Sequence, residues 1–175
     1  QRRATRIIRV GDVQIGGNAT ISVQSMTKTD TRDIQSTVKQ IKQLEEVGCD
    51  IIRCAVPNQE AAIALRDIKK QIKIPLIADI HFHYHLALEA IKSGVDALRL
   101  NPGNIRDSEQ VKQIVRSAKE RELPIRIGVN FGSLPPVGGI GKSRGYSRVS
   151  DMVNSLPKGL ASQKEEYTVV DHMVA

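Results

Sequence analysis

Apolar residues recur along this chain in two rhythms: short unbroken runs, and longer stretches with an apolar residue at every third or fourth position. The first suits strands covered on both faces, and the second suits helices with one buried side. Near the start, "TRIIRVGDVQIGG" holds two alternating runs around Gly11-Asp12, which predicts a hairpin. The run "ATISVQS" (19–25) predicts a strand. "TDTRDIQSTVKQIKQLEEVG" then predicts a helix with Ile34, Val38, Ile41 and Leu44 on one face. Asp30 or Thr31 is expected to cap it and Gly48 to end it. "DIIRCAVP" predicts the next strand, and Asn58 caps a helix that turns Ala61, Leu65 and Ile68 inward. "IPLIAD" precedes a helix with Ala87, Ala90 and Ile91 inward and Gly94 at its end. "VDALRLNP" precedes a helix from about Asp107 with Val111, Ile114, Val115 and Ala118 inward, and "LPIRIGVN" is a fifth strand.

One strand and one helix repeat every roughly 20–27 residues, the length of a right-handed crossover unit. Such a repeat builds either a barrel or an open doubly wound sheet. No Gly-rich phosphate fingerprint follows the first strand, which favours the barrel. The expected fold class is therefore α/β: an incomplete (β/α)8 TIM-type barrel of about five of the eight units, with an N-terminal hairpin. From 131 to 168 the texture changes to Gly, Pro, Ser and Lys with little periodicity, so this stretch is expected to be a long loop. "VVDHMVA" then predicts the start of another helix, and the chain is expected to be a piece of a larger protein.

Composition narrows the function classes. With 3% aromatic residues and no Trp, base-stacking platforms are disfavoured. No apolar run is long enough for a membrane span, and the start lacks a signal-peptide core, so the expected compartment is cytoplasmic. The net charge of +7 favours anionic partners. The arginines of "QRRATRIIR" admit a nucleic-acid module as a rival reading, but a solvated basic terminus is the plainer account. Cys49 and Cys54 fit no metal-binding spacing and read as buried, inert thiols.

The chemistry gathers at the predicted strand ends, which present Gln24 and Ser25, Arg53, Asp79 and His81, Arg99 and Asn101, and Arg126 and Asn130. In a barrel of this kind these C-terminal strand ends form the active-site mouth. Residues two or four apart on a strand share a face, so Asp79 points with His81, Arg99 with Asn101, and Arg126 with Asn130. An unpaired buried guanidinium is costly, so three arginines in apolar strands each need an acid or an anionic ligand. Asp79 is the one carboxylate among these residues and cannot neutralise all three. A diphosphate or bisphosphate does so through bidentate hydrogen bonds. The competing reading sends the arginines to surface acids such as Asp50 or Asp96. Asp79 and His81 suit proton transfer or substrate orientation. Metal ligation with His83 and His85 is the weaker alternative, since a helix start turns those two outward. Asn101-Pro102-Gly103-Asn104 reads as a ligand-facing loop or an ordinary turn.

The stretches "VQSMTKTDTRD", "GCDIIRCAVP", "ADIHFHYHLAL", "LRLNPGNI" and "IRIGVNFGSL" together resemble the 4-hydroxy-3-methylbut-2-enyl diphosphate synthase family of the methylerythritol phosphate route to isoprenoids. The resemblance runs from about Arg3 to Leu134. It implies a substrate barrel that takes methylerythritol 2,4-cyclodiphosphate, opens its ring and removes an oxygen as water. Two electrons arrive from flavodoxin or ferredoxin through a [4Fe-4S] cluster, held by three cysteines and a glutamate of a separate C-terminal domain. In the family's homodimer that domain covers the partner's barrel mouth. Carried onto this sequence, Arg53, Arg99 and Arg126 match diphosphate-binding positions, and Asn101 and Asn130 match polar pocket positions. Asp79 and His81 match an Asp-x-His stretch assigned to orienting the substrate and tuning protonation. Gln24 and Ser25 match the pocket floor or its surroundings. By the same resemblance, residues 1–175 are the N-terminal part of the substrate barrel, with 135–168 an inserted loop. The cluster cysteines and the family's later barrel lysine and serine positions are absent, so this chain alone is expected to be inactive. The rival from another enzyme class is a pterin- or sugar-phosphate-binding barrel.

Overall fold

The structure, a computed structural model, describes residues 4–101, 104, 105 and 107–128. The loop expected at 135–168 and the helix expected after it lie outside the described residues. Two strands, β1 (Ile8–Val10) and β2 (Val13–Ile15), form the expected antiparallel hairpin, with Val10 opposite Val13 and Gly11 at φ 58° in the turn. Five further strands alternate with four helices: β3 (Gln24–Met26), α1 (Ile34–Glu46), β4 (Ile51–Ala55), α2 (Gln59–Lys69), β5 (Leu76–Ile80), α3 (Tyr84–Lys92), β6 (Ala97–Leu100), α4 (Ser108–Lys119) and β7 (Ile125–Ile127). The five strands lie in chain order and are all parallel. That is the sheet the alternating pattern predicted.

Alternation along the strands sorts side chains to two sides. Ile52, Cys54, Leu76, Ala78, Ile80, Leu98 and Leu100 face the helices and join Val38, Ile41, Leu65, Ile68, Ile91 and Ile114 in the main core. On the other face Ile51, Ile77 and Ala97 pack with Val10, Val13 and Ile15 of the hairpin. The hairpin thus plugs the end of the sheet at which the strands begin, and seals its inner face from below.

The sheet is an arc. Laid flat, β3 and β7 stand four strand spacings apart, about 19 Å. Yet Arg126 Nη1 on β7 donates to Gln24 Oε1 on β3 at 3.1 Å. Only a strongly curled sheet lets side chains of its two edge strands meet, and that curvature is what a barrel requires.

Local chemistry explains two departures from the expected elements. The first barrel strand is shorter than 19–25 because the Asp50 carboxylate takes the Val23 N–H at 2.7 Å, in place of a ladder carbonyl, while Ile21 and Val23 stay exposed. The cap of α1 is Asp33, which accepts from Ser36 N at 3.1 Å. Asp30 is occupied by the Arg32 guanidinium, and Thr31 Oγ1 donates to Ala55 O at 2.7 Å, tying the β3–α1 loop to the end of β4. The other caps stand as expected. Asn58 accepts from Ala61 N, Asp107 accepts from Glu109 N and Gln110 N, and Gly48 and Gly94 follow α1 and α3 at φ 89° and 84°. Among the described residues no helix is long and apolar enough to cross a membrane.

Two outcomes follow from this packing. Asp107→Ala removes the acceptor for two helix N–H groups and is expected to cost about 1 kcal/mol in urea denaturation, with Asp107→Ser recovering most of it. Both cysteines are buried and free, and burial pushes the Cys54 thiol up to about 11 against a smaller opposing pull from Thr27. The reactive species is the thiolate, so at pH 8 Cys54 is expected to resist iodoacetamide until the protein unfolds. Rapid alkylation of the native protein at Cys54, read by mass spectrometry, would contradict this.

Candidate functional site: an arginine cluster on one carboxylate

Strand register builds the site in layers on the inner face. Asp79 on β5 stands beside Arg99 on β6, and Arg99 stands beside Arg126 on β7. One step lower, Arg53 on β4 lies opposite Ile77 and next to Met26 of β3. One step higher, the alternation puts His81, Asn101 and Gly128 above Asp79, Arg99 and Arg126. The apolar floor made with the hairpin lies beneath this polar set.

Asp79 is the hub, with only 2% of its surface exposed. Arg99 Nη1 donates to its Oδ1 at 3.0 Å, and Arg99 Nη2 donates to the Gly128 carbonyl at 3.1 Å. Arg99 is itself only 7% exposed, so this guanidinium is held at both ends inside the fold. Arg53 Nε lies 3.2 Å from Asp79 Oδ2, but its N–H is not aimed there and makes no hydrogen bond. The contact is a charge pair, not an aligned bond. Arg53 Nη2 donates to the Met26 sulfur at 3.3 Å, a weak acceptor. Among the described residues, Arg53 thus keeps a buried Nε–H without a hydrogen-bond partner and spends its one bond on a weak acceptor.

Arg126, held by Gln24, completes the cluster. Burial pushes its pKa below the ordinary arginine value, and the charges of Arg53 and Arg99 add to that push while Asp79 opposes it. An arginine stays protonated in proteins, so the shift measures discomfort rather than neutralisation. Three guanidinium groups thus share one buried carboxylate. The surface acids do not relieve them: Asp50 accepts from Val23 N, and Asp96 from Lys69 Nζ and Leu76 N.

His81 is 37% exposed in its side chain, with Nε2 3.4 Å from Asp79 Oδ1, an oxygen already engaged by Arg99. It stands at the rim, near the carboxylate without displacing the arginine. Asn101 is buried, and its carbonyl accepts from Asn104 N at 3.1 Å to turn the chain. His83 and His85 are exposed and stack on each other at 5.3 Å, and among the described residues no three His, Cys, Asp or Glu side chains gather as a metal site.

The structure brings Arg53, Asp79, His81, Arg99, Asn101, Arg126 and Gln24 to one face. Ser25 departs from the expectation that pairs it with Gln24. Its register partner is Ile52, a residue of the helix-side core, so Ser25 lies on the face away from the arginines. Adjacent strand residues cannot both face inward. Asn130 lies outside the described residues, as do Pro102 and Gly103. Met26 and Gly128 were missed by sequence reasoning. Both were reachable by the same two-residue step, Met26 from Gln24 and Gly128 from Arg126.

Comparison with known proteins fits this geometry. Residues 5–169 match the GcpE TIM-barrel domain. A 4-hydroxy-3-methylbut-2-en-1-yl diphosphate synthase (flavodoxin) of Dehalococcoides mccartyi is 65% identical over 134 residues, covering 77% of this chain and 38% of that protein. Proteins of the same name from Thermodesulfovibrio yellowstonii and Clostridium perfringens are 63% and 58% identical over 135 and 133 residues, covering 77% and 76% of this chain and 39% and 38% of theirs. The chain spans less than half the length of these relatives. Among solved structures, the Vibrio fischeri 7,8-dihydropteroate synthase aligns with a TM-score of 0.62 at 13% identity, over 91% of this chain and 63% of that one. The Thermotoga maritima phospho-2-dehydro-3-deoxyheptonate aldolase aligns with a TM-score of 0.54 at 12% identity, over 70% and 36%. At such identities these two likenesses speak for the barrel fold alone. The family match extends over nearly the whole chain, and the chain belongs to the GcpE family.

Proposed function

We propose that this chain forms the diphosphate-gripping part of a 4-hydroxy-3-methylbut-2-en-1-yl diphosphate synthase acting on 2-C-methyl-D-erythritol 2,4-cyclodiphosphate. One observation carries the reading: three guanidinium groups converge on the inner face around a single buried carboxylate. A diphosphate supplies the missing negative charge and accepts the donors that the protein leaves weakly used. Arg53 is best placed to turn toward it, because Met26 and a misaligned Asp79 hold it loosely. Arg99 and Arg126, fixed by Asp79, Gly128 and Gln24, form the rigid part of the grip. Asn101 lines the pocket beside them, and Asn130 is proposed to join it. Asp79 and His81 orient the substrate, with the imidazole at the rim where a proton is exchanged.

The overall change adds two electrons and two protons to the cyclodiphosphate and releases one water. The described residues do not fit the iron–sulfur cluster that this chemistry calls for. Cys49 and Cys54 are both buried and Cys54 faces the helices, so neither meets the arginines. We assign the [4Fe-4S] cluster to a further domain of the whole protein. Flavodoxin is the proposed donor, because the relatives' names carry it. A cytoplasmic homodimer, in which each cluster domain covers the partner's barrel, completes the proposal.

In the complete protein, Arg53→Gln, Arg99→Gln and Arg126→Gln are each expected to weaken cyclodiphosphate binding by about 2–5 kcal/mol. Unchanged affinity in all three variants, measured by calorimetry, would sink the proposed grip. Asp79→Asn separates structure from binding. It leaves three cations without their carboxylate and is expected to lower unliganded stability by about 3 kcal/mol. Added inorganic pyrophosphate should then raise the melting temperature of Asp79→Asn more than that of the unaltered protein, since the anion now replaces the lost charge. An equal or smaller rise would count against the charge-balance argument.

A further inference from the structure

Gly128 follows β7 and donates its N–H to the Leu100 carbonyl at 2.9 Å, while its own carbonyl accepts from Arg99 Nη2. Its backbone makes no demand for glycine, because its φ is not positive. What it lacks is room. A methyl group on Gly128 would stand 2.6 Å from Arg99 Nε, 3.1 Å from Nη2 and 3.3 Å from Cζ. Gly48 and Gly94 are the opposite case: both have positive φ, and nothing lies within 4 Å of where their Cβ would be. Those two glycines shape the backbone, whereas Gly128 makes space.

The geometry points to Gly128 as a positioning residue for the anion site: the side chain it lacks leaves the slot in which the Arg99 guanidinium lies. The slot matters because Arg99 has nowhere to retreat. It is buried, bonded to Asp79 at one end and to Gly128 at the other, and Arg53 and Arg126 carry like charge close by. Any side chain at 128 moves the guanidinium off Asp79 and changes the spacing of the three cations that meet the ligand. Gly128 therefore acts on the anion site through Arg99, by holding the guanidinium where it pairs with Asp79. This role rests on the diphosphate reading above.

The test is a double-mutant cycle in the complete protein, with Gly128→Ala, Arg99→Ala and the pair. Arg99→Asn, short enough to clear the slot, serves as a second background if Arg99→Ala does not fold. Two quantities are read for each variant: the unliganded melting temperature, and the affinity for inorganic pyrophosphate well below that temperature. Gly128→Ala alone is expected to lower the melting temperature and weaken pyrophosphate binding by about tenfold or more, the loss of one charge-assisted hydrogen bond. In either Arg99 background the same alanine should cost almost nothing in both. Additive losses, or pyrophosphate affinity untouched by Gly128→Ala, overturn the proposal. If the unaltered protein ignores pyrophosphate while the melting temperatures still couple, the diphosphate reading falls and takes the ligand role of Gly128 with it.

Discussion

The inner face of this sheet is organised by a charge deficit. Asp79 is almost fully buried and is approached by two arginines directly, with a third in its field. Removing charges from water is tolerated only when partners are close and hydrogen bonds are made. Here the partners are too few, and the fold carries the residue of that imbalance as unused binding capacity. The apolar floor below, made with the hairpin, bars water from that side and directs the capacity toward the strand ends.

The division of labour between the two faces follows from the period of two. One set of alternate residues, Ile52, Cys54, Ala78, Leu98 and their neighbours, is spent wholly on packing the helices. The other set is released from that task and carries the polar chemistry. The arginines interrupt otherwise apolar runs without loosening the core, because every one of them points away from it.

Most of this was legible in the sequence. The order of strands and helices follows from apolar periodicity, and two of the four helix starts, at Asn58 and Asp107, carry a capping side chain just ahead of the apolar pattern, whereas His83 at the start of the third helix makes no side-chain cap bond. The fourth, on α1, was decided by competition that spacing does not show: Arg32 claims Asp30 and Ala55 claims Thr31, leaving Asp33. The short β3 was hidden for a similar reason, since Asp50, just ahead of the neighbouring strand β4, answers Val23. Arg53, Arg99 and Arg126 announced themselves as charges where charges are expensive. Gly128 did not, because its contribution is an empty volume, and an empty volume becomes meaningful only once a guanidinium is seen inside it.

The bond from Arg126 to Gln24 joins residues 102 positions apart in the chain. Its neighbours in the sheet are linked by crossovers of about one repeat, so loop closure for each is modest. The bond across the arc forms only after every intervening strand has taken its place, and it reports completion of the sheet rather than of any one part. The cluster of arginines is consequently complete only when the whole arc is assembled. With β4 and β5 alone, Arg53 and Asp79 have each other; the charge deficit begins with Arg99 on β6 and is full only with Arg126 on β7, where an anion has something to answer.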